Sequence, residues 1–251
     1  MCLILFAYKV HPQYPLIVAA NRDEFYRRPT APIHYWEDNP TILAGRDLEK
    51  MGTWMGVTTS GRFAALTNYR NPKEITVGKL SRGELVADAL TYGGNLKEYM
   101  QGLASRQHQF PGYNLLAGDQ NELYYYSNMG QELQRLEPGI YGVSNHLLNT
   151  QWPKVKRGKE GLSDIITGDL ENLVEELMAL LQQADPAPDE FLPNTGVSLE
   201  WERLLSPLFI QSEHYGTRSS TVLLMSGNEM DYVERVFSNG RVNERSFKVD
   251  L

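Results

Sequence analysis

The chain has 251 residues, 41% hydrophobic and 22% charged, a balance that supports a substantial core and excludes disordered and collagen-like classes. Its longest apolar runs, residues 2–8 and 15–20, are far shorter than the roughly 20 residues of a membrane helix, and no basic segment precedes the first. The net charge of −7 argues against a general nucleic-acid binder, which needs a basic face. We therefore expect one soluble, unexported domain over residues 1–251, with neither a transmembrane segment nor a nucleic-acid partner.

Cysteine and histidine usage limits the chemistry further. A single cysteine, Cys2, makes an intramolecular disulfide impossible and suggests a reducing cytoplasm. There is no His-x-x-x-His pair, no phosphate-binding glycine loop and no Gly-x-Ser-x-Gly elbow, so we predict neither a metal site nor a cofactor. The histidines are scattered along the chain at His11, His34, His108, His146 and His214.

Short runs rich in β-branched and aromatic residues predict strands in the first part of the chain. These runs are residues 2–8, 16–20, 53–58 and 62–67, the last two separated by a hairpin-like Thr59-Ser60-Gly61 turn. Ser81 and Glu84 have capping-box spacing and predict a helix to about Leu90, and residues 95–107 predict a second helix. Four strands followed by two helices are therefore expected.

The second part of the chain repeats this alternation. Strands are predicted at residues 113–117, 122–127 and 140–144, helices after Trp152, over 169–183 and over 200–205, and closing strands at 219–225, 231–237 and 244–249. Short reversals between the strands favour an α+β class with mainly antiparallel sheets over a doubly wound parallel sheet. Periodicity alone leaves open whether there is one large sheet or two packed sheets.

Cys2 is the first candidate for chemistry. If an aminopeptidase removes Met1, Cys2 carries both a thiol and a free α-amine, and the amine titrates in a range where it can accept the thiol proton. Free cysteine is also among the most buried residue types, and this one starts an apolar strand. A structural role for Cys2 is therefore the alternative to nucleophilic catalysis.

The first two strands predict what faces Cys2. If they pair antiparallel about a turn near Pro12, partner numbers sum to roughly 24, which sets Arg22 opposite Cys2 and Asp23 beside it. A guanidinium stabilises a thiolate, and a carboxylate can orient an α-amine and steady its cationic form. The alternative is a surface ion pair of Arg22 and Asp23 at a strand end, worth about 0–1 kcal/mol.

A local basic cluster stands out in this acidic chain. It could hold one anionic group, but a charge run is usually a solvated face, and we interpret it as surface. The cluster consists of Lys154, Lys156, Arg157 and Lys159.

Nine short blocks, in order along nearly the whole chain, resemble the NRDE family, also called the transport and Golgi organisation 2 family. The departures from the family pattern are Met51, where a glycine is expected, and Asn149 and Gln151, where Asp and Pro are common. The blocks are Met1-Cys2, Asn21-Arg22-Asp23-Glu24, Gly45-Arg46-Asp47, Gly52-Thr53-Trp54, Thr67-Asn68-Tyr69-Arg70, Ser81-Arg82-Gly83-Glu84, Ser144-Asn145-His146, Trp152-Pro153-Lys154 and Arg218-Ser219-Ser220-Thr221.

This resemblance implies an N-terminal nucleophile (Ntn) hydrolase-like fold, a four-layer αββα sandwich whose first strand begins with the nucleophile. The pattern is most similar to the branch of penicillin V acylase and conjugated bile acid hydrolase. Carried over by position, the implied catalytic residues are Cys2, Arg22, Asp23, Asn68, Asn145 and Arg218.

The resemblance also implies roles for the last three of these residues. Asn68, with a backbone N–H, would hold the oxyanion, Asn145 would hold the α-amine, and Arg218 would steady Asp23 or receive a substrate carboxylate. The alternatives are turn residues at Asn68 and Asn145 and a strand-edge charge at Arg218.

Three further residues in or beside these blocks are candidate substrate contacts. They are Trp54, Tyr69 and His146. His146 as an acid or base is less favoured than a structural role, because the α-amine already accepts the proton.

Two functions follow from the resemblance. The first is a cysteine Ntn hydrolase that cleaves a linear amide or related acyl bond in a small molecule after removal of Met1. The second is a non-catalytic carrier of haem or an acyl lipid, with His34, His146 or Cys2 as axial ligand for haem. Retention of Met1 would favour the carrier, because the α-amine would then lie away from the thiol.

Overall fold

The computed structural model of the protein describes residues 2–168, 171–238 and 240–251. Within these ranges the chain forms thirteen strands and five α-helices. The strands are β1 (Cys2–Tyr8), β2 (Leu16–Phe25), β3 (Thr30–Tyr35), β4 (Ile42–Asp47), β5 (Met55–Thr58), β6 (Phe63–Asn68), β7 (Tyr113–Gly118), β8 (Leu123–Ser127), β9 (Leu133–Arg135), β10 (Gly139–Val143), β11 (Tyr215–Met225), β12 (Glu229–Ser238) and β13 (Arg241–Asp250). The helices are α1 (Arg82–Thr91), α2 (Leu96–Arg106), α3 (Pro153–Ile166), α4 (Leu173–Leu181) and α5 (Leu199–Leu204).

The strands form two antiparallel sheets. The first has the order β10-β1-β2-β11-β12-β13, and the second runs in chain order from β3 to β9. Every neighbouring pair is antiparallel. The structure therefore has two packed sheets and not one large sheet, the alternative that periodicity left open.

Side-chain alternation along β1 explains how the sheets pack. Ile4 and Phe6 point into the core between the two sheets, whereas Leu3 and Leu5 point to the opposite face, into a second core shared with α3 and α4. All four are at most 1% exposed, and each such side chain contributes about 1.5–3 kcal/mol on burial. A strand that is buried on both faces reads as a continuous apolar run, which is the pattern of residues 2–8.

The helices cover the outer faces. α1 and α2 pack on the second sheet in a third core that contains Leu85 and Met100, and α3 and α4 pack on the first sheet. The layer order is therefore helix, sheet, sheet, helix, and the predicted four-layer αββα sandwich is confirmed. None of these described helices has the length and apolar character needed to cross a membrane.

The predicted element list is wrong in the stretch before the first helix, where six strands stand in place of four. The missed strands are β3 and β4, and the short edge strand β9 was missed later in the chain. β3 is an edge strand that contains Pro32 and is interrupted by a register shift between Ala31 and His34. Because proline removes a ladder donor, such a segment loses its strand pattern in the sequence.

The predicted helix over residues 169–183 is shorter in the structure. α4 covers Leu173–Leu181, and Asp169 and Leu170 lie outside the described residues. Its predicted apolar face is buried against the first sheet through Leu173, Leu177 and Leu181.

Candidate active site

Cys2 begins β1 and lines a cavity with a volume of about 670 Å³. The strand register sets Cys2 opposite Arg22 of β2, as the hairpin arithmetic predicts. Partners in an antiparallel pair point to the same face of the sheet, so both side chains point toward the space between the sheets. Arg22 also lines the cavity.

Asp23 follows Arg22 and by alternation points to the opposite face of β2, toward the helix layer. It is 1% exposed, and its Oδ1 accepts a hydrogen bond of 2.7 Å from Thr217 Oγ1 on β11, the strand on the other side of β2. Burial raises the pKa of the Asp23 carboxyl above its ordinary value. The predicted adjacency of Cys2, Arg22 and Asp23 is thus present.

The surroundings of the Cys2 thiol favour its protonated form. Burial raises its pKa, the charge of Asp23 raises it further, and the guanidinium of Arg22 lowers it. Burial comes first among these causes, so the net direction is upward. A thiol in this state becomes a nucleophile when a base takes its proton.

Asn68 and Asn145 lie at neighbouring strand ends. Asn68 closes β6 and lines the cavity, and its backbone oxygen accepts a 2.9 Å hydrogen bond from Asn145 Nδ2. Asn145 is fully buried and follows β10, and the Ser144 hydroxyl lies 3.0 Å from the Cys2 backbone oxygen and 3.2 Å from Asn145 Oδ1. Both asparagines therefore lie at the same end of the sandwich as Cys2.

Arg218 lies on β11 and lines the cavity. Its Nη1 donates to the backbone oxygens of Phe25 and Arg28 at 3.0 and 3.1 Å. These bonds tie Arg218 to the segment that joins β2 to β3, on the cavity side of the site. The geometry suits the predicted role of receiving a substrate carboxylate better than that of steadying Asp23.

The three candidate substrate contacts separate in the structure. Trp54 lines the cavity, but Tyr69 and His146 are not among the described residues that do so. Their rings contact each other at 4.9 Å between centroids, and His146 contacts Trp152 at 5.7 Å. Burial lowers the pKa of His146, and its Nδ1 pairs with Thr150 Oγ1 at 2.9 Å, as in a structural histidine.

Sequence reasoning did not identify Arg82, although it lies in the Ser81-Arg82-Gly83-Glu84 block. Arg82 is the first residue of α1 and lines the cavity, where its Nη1 donates to the Gly112 backbone oxygen at 3.1 Å. Burial lowers its pKa, and the charge of Glu74 opposes that shift. The capping-box spacing predicted the helix. A cation at the positive N-terminal end of a helix is unfavourable without an anion nearby, so Arg82 at this position was the available signal for an anionic ligand.

Cations outnumber anions in the cavity wall, although the chain as a whole carries a net charge of −7. Arg28 and Arg46 form ion pairs with Glu49 and Asp38, which lie outside this wall, so the attraction for an anionic ligand comes from the other cations. The cationic wall residues are Arg22, Arg28, Arg46, Lys50, Lys79, Arg82 and Arg218, against Asp23, Glu24, Asp47, Glu84 and Glu234.

The basic cluster of α3 requires a correction. Lys156 is exposed as expected, but Lys154 is only 3% exposed and lies on the buried side of the helix. The interpretation of the whole cluster as a solvated face is therefore wrong at Lys154. Its methylene groups and charge enter the interior because position 154 lies on the face of α3 that meets the first sheet, together with Val155.

Comparison with curated proteins identifies the family. The family profile described as Transport and Golgi organisation 2 matches residues 1–239. The chain is 35% identical to the Transport and Golgi organization protein 2 homolog of Bos taurus, across 94% of this chain and 92% of that protein. It is 33% identical to the Homo sapiens homolog with the same coverage. Identity to the Drosophila melanogaster Transport and Golgi organization protein 2 is 29%, across 95% of this chain and 93% of that protein.

Comparison with solved structures identifies the fold. A Caenorhabditis elegans N-acylethanolamine-hydrolyzing acid amidase ortholog superimposes with a TM-score of 0.51 at 12% identity, covering 89% of this chain and 92% of that chain. A mutant conjugated bile acid hydrolase from Clostridium perfringens gives a TM-score of 0.46 at 10% identity, covering 98% and 92%. The fold is that of the Ntn hydrolases, and the chain belongs to the transport and Golgi organisation 2 family.

Proposed function

We propose that this protein is a cysteine Ntn hydrolase that cleaves a linear amide, or a related acyl bond, in a small anionic molecule after Met1 is removed. The observation that carries the proposal is Cys2 at the start of β1, opposite Arg22, in the wall of a 670 Å³ cavity with an excess of cations. The volume lies within the range of about 300–1,000 Å³ typical of small-molecule sites. We also propose the cytoplasm as its location, because its single thiol stays reduced there.

The proposed reaction begins at the thiol. The α-amine of Cys2 takes the Sγ proton, and the thiolate attacks the substrate carbonyl carbon to form a C–S bond. The Asn68 side-chain amide and a backbone N–H hold the oxyanion. The C–N bond then breaks, and the leaving amine receives the proton from the α-ammonium.

The second half of the reaction releases the acyl group. Water attacks the thioester carbonyl and gives its proton to the α-amine, and the C–S bond then breaks to leave a carboxylic acid and the Cys2 thiol. The sum is an amide plus water giving an acid plus an amine. Because burial keeps the resting thiol protonated, this sequence needs the base that removal of Met1 exposes.

The test begins with the intact mass of protein expressed without an N-terminal tag. We expect the loss of one methionine, and a retained methionine would contradict the proposal. The processed protein is then incubated with N-acyl amino acids and with the matching neutral amides. We expect turnover of the acidic series, and its complete loss in Cys2→Ala.

A matched control and a contradicting result make this assay decisive. Lys156→Met alters an exposed residue of α3 and should keep the wild-type rate. Full turnover by Cys2→Ala would show that another group acts as the nucleophile. Faster cleavage of the neutral amides would contradict the role assigned to the cationic cavity wall.

The haem-carrier alternative has less support from the geometry. Of its candidate axial ligands, Cys2 lines the cavity, whereas His34 and His146 are not among the described lining residues. His34 Nδ1 lies 2.8 Å from the Pro32 backbone oxygen, and the His146 ring contacts two aromatic rings in tilted geometry. A haem titration without a saturable Soret shift would remove this alternative.

A further inference from the structure

Lys154 occupies a position that local forces disfavour. It is the second residue of α3, after Pro153, where the helix macrodipole is positive and repels a cation. It is also 3% exposed, and burial of an ammonium group is costly without a compensating charge. A lysine at this position therefore needs an anion supplied by another part of the fold.

The charged groups that face Lys154 come from four segments. They are Asp23 of β2, Cys2 of β1, Arg70 after β6 and Glu202 of α5. Lys154 Nζ is buried and makes no hydrogen bond to any of the residues that the structure describes. Burial lowers the pKa of Lys154 to about 8, and Asp23 is first among the charges that oppose this shift.

Glu202 is already balanced by other groups. Its Oε2 accepts a 2.7 Å bond from Arg70 Nη1 in an ion pair whose side chains are 6% and 4% exposed. Its Oε1 accepts from the Thr195 N–H at 2.9 Å and from Thr195 Oγ1 at 2.6 Å. The anion left to compensate Lys154 is therefore Asp23.

Asp23 needs a cation for the same reason. Burial raises the pKa of its carboxyl, and Lys154 is first among the charges that lower it. Asn21, on the same face of β2, donates to the backbone oxygens of Leu181 and Leu208, which shows that this face meets the helix layer. Lys154, on α3, thus lies on the face of the first sheet that meets the helix layer, which is the face of β2 that carries Asn21 and Asp23.

We infer that Lys154 is the buried counter-ion of Asp23 and, through Asp23, a positioning residue for ionisation of the Cys2 thiol. The inference rests on the proposed function only in treating Cys2 as the nucleophile. It assigns an electrostatic role to the Trp152-Pro153-Lys154 block, with Pro153 starting α3 and Lys154 facing the sheet. Removal of Lys154 takes away the first of the positive charges that act on Asp23, so the negative charge beside the thiol is less balanced, which disfavours the thiolate.

The test follows alkylation of Cys2 by iodoacetamide as a function of pH. Cys2 is the only cysteine in the chain, so intact mass reports this thiol alone. We expect Lys154→Met to slow alkylation about tenfold at neutral pH, where Lys154 is charged, and to leave the rate near pH 10, where Lys154 has released its proton, within about twofold of wild type. The double variant Asp23→Asn/Lys154→Met, which removes both charges, should react within about twofold of wild type. Lys156→Met is the matched control and should leave the profile unchanged.

Two results would overturn the inference. One is an unchanged alkylation rate of Lys154→Met at neutral pH, and the other is a double variant as slow there as Lys154→Met alone. If Lys154→Met does not fold, the double variant should still fold, with a denaturation midpoint above that of Asp23→Asn, and an equal or lower midpoint would also overturn it. No substrate is needed, so a protein without hydrolase activity would refute the proposed function and leave this result independent.

Discussion

Met51 is a residue under conformational strain at the edge of the cavity. Its φ is 59°, in the left-handed region that favours glycine, and it is 52% exposed. Two bonds hold the loop in this conformation: Met51 N–H donates to the Asp47 oxygen at 2.8 Å, and Arg46 Nε donates to the Met51 oxygen at 3.1 Å. The resemblance predicts glycine at this position, and the backbone angle of Met51 gives a physical reason for that expectation.

We expect Met51→Gly to stabilise the protein by about 0.5–1 kcal/mol. The substitution removes about 1–2 kcal/mol of left-handed strain and loses about 0.5–1 kcal/mol to the greater freedom of glycine in the unfolded chain. Urea denaturation at neutral pH measures the difference. Met51→Ala is the matched control, because it shortens the side chain and keeps the strain, and it should gain nothing. An equal gain in both variants would assign the effect to the methionine side chain.

Two residues show what single-residue reasoning can and cannot predict. Arg22 was correctly placed opposite Cys2, because a short hairpin fixes the register from the strand positions alone. Lys154 was assigned to the surface, because its burial depends on β2 and α5, which are far away in the sequence. Local patterns thus predicted the pairing of Cys2 with Arg22 and missed the buried charge of Lys154.

At the scale of elements, the start of α1 is fixed against the loop that precedes β5. A Cβ atom on Gly52 would lie 2.6 Å from the Gly83 carbonyl carbon and 2.7 Å from its oxygen. Thr53 N–H donates to this same Gly83 oxygen at 3.3 Å. Since Arg82 precedes Gly83, this close backbone contact sets the position of a cavity cation.

We expect Gly52→Ala to destabilise the protein by about 1–3 kcal/mol, because the added methyl must separate two backbones. The same shift should displace Arg82 and weaken binding of an anionic substrate, seen as a raised KM. Gly102→Ala is the control: this glycine is exposed within α2 with no atom near its Cβ position, and should gain about 1 kcal/mol of stability. A stable Gly52→Ala with wild-type KM would show that the contact does not position Arg82.

Strands and helices were predicted correctly where a strand is apolar on both faces or where apolar residues recur along one face of a helix. β1 and the start of β2 are continuous apolar runs, and α2 has a regular helical period. β3 and β4 were not predicted because Pro32 and Gly45 interrupt their strand patterns. In addition, β3 is an edge strand, which pairs with a neighbour on one side only. The extension of β2 beyond Arg22 to Phe25 was not predicted, because the charged residues Asp23 and Glu24 lack a strand pattern.

At the scale of the whole molecule, charged residues from many parts of the chain lie together at one end of the sandwich. β1, β6 and β10 begin or end there, with Cys2, Asn68 and Asn145 held together by side-chain bonds to backbone oxygens. The layer order was implied by the resemblance, and the cation-rich cavity was not, because its wall combines residues from the whole length of the chain. Buried charge at that end gives global stability a pH dependence, to which Lys154 contributes in the alkaline range.

We expect the free energy of unfolding of wild type, relative to that of Lys154→Met, to increase as pH rises above about 8. Burial lowers its folded-state pKa to about 8 from an ordinary 10.5. Between these values the unfolded chain holds a proton that the folded protein has released, so the free energy of unfolding rises with pH, by at most about 1.4 kcal/mol per unit. Urea denaturation of both proteins from pH 7 to 10.5 measures the difference. The buried tyrosines are present in both proteins, whereas the Cys2 thiol is coupled to Lys154, so both proteins carry Cys2→Ala in this comparison. Parallel curves would mean that Lys154 keeps its ordinary pKa in the fold. If the free energy of unfolding of wild type minus that of Lys154→Met decreased with rising pH, folding would raise the pKa of Lys154 and not lower it.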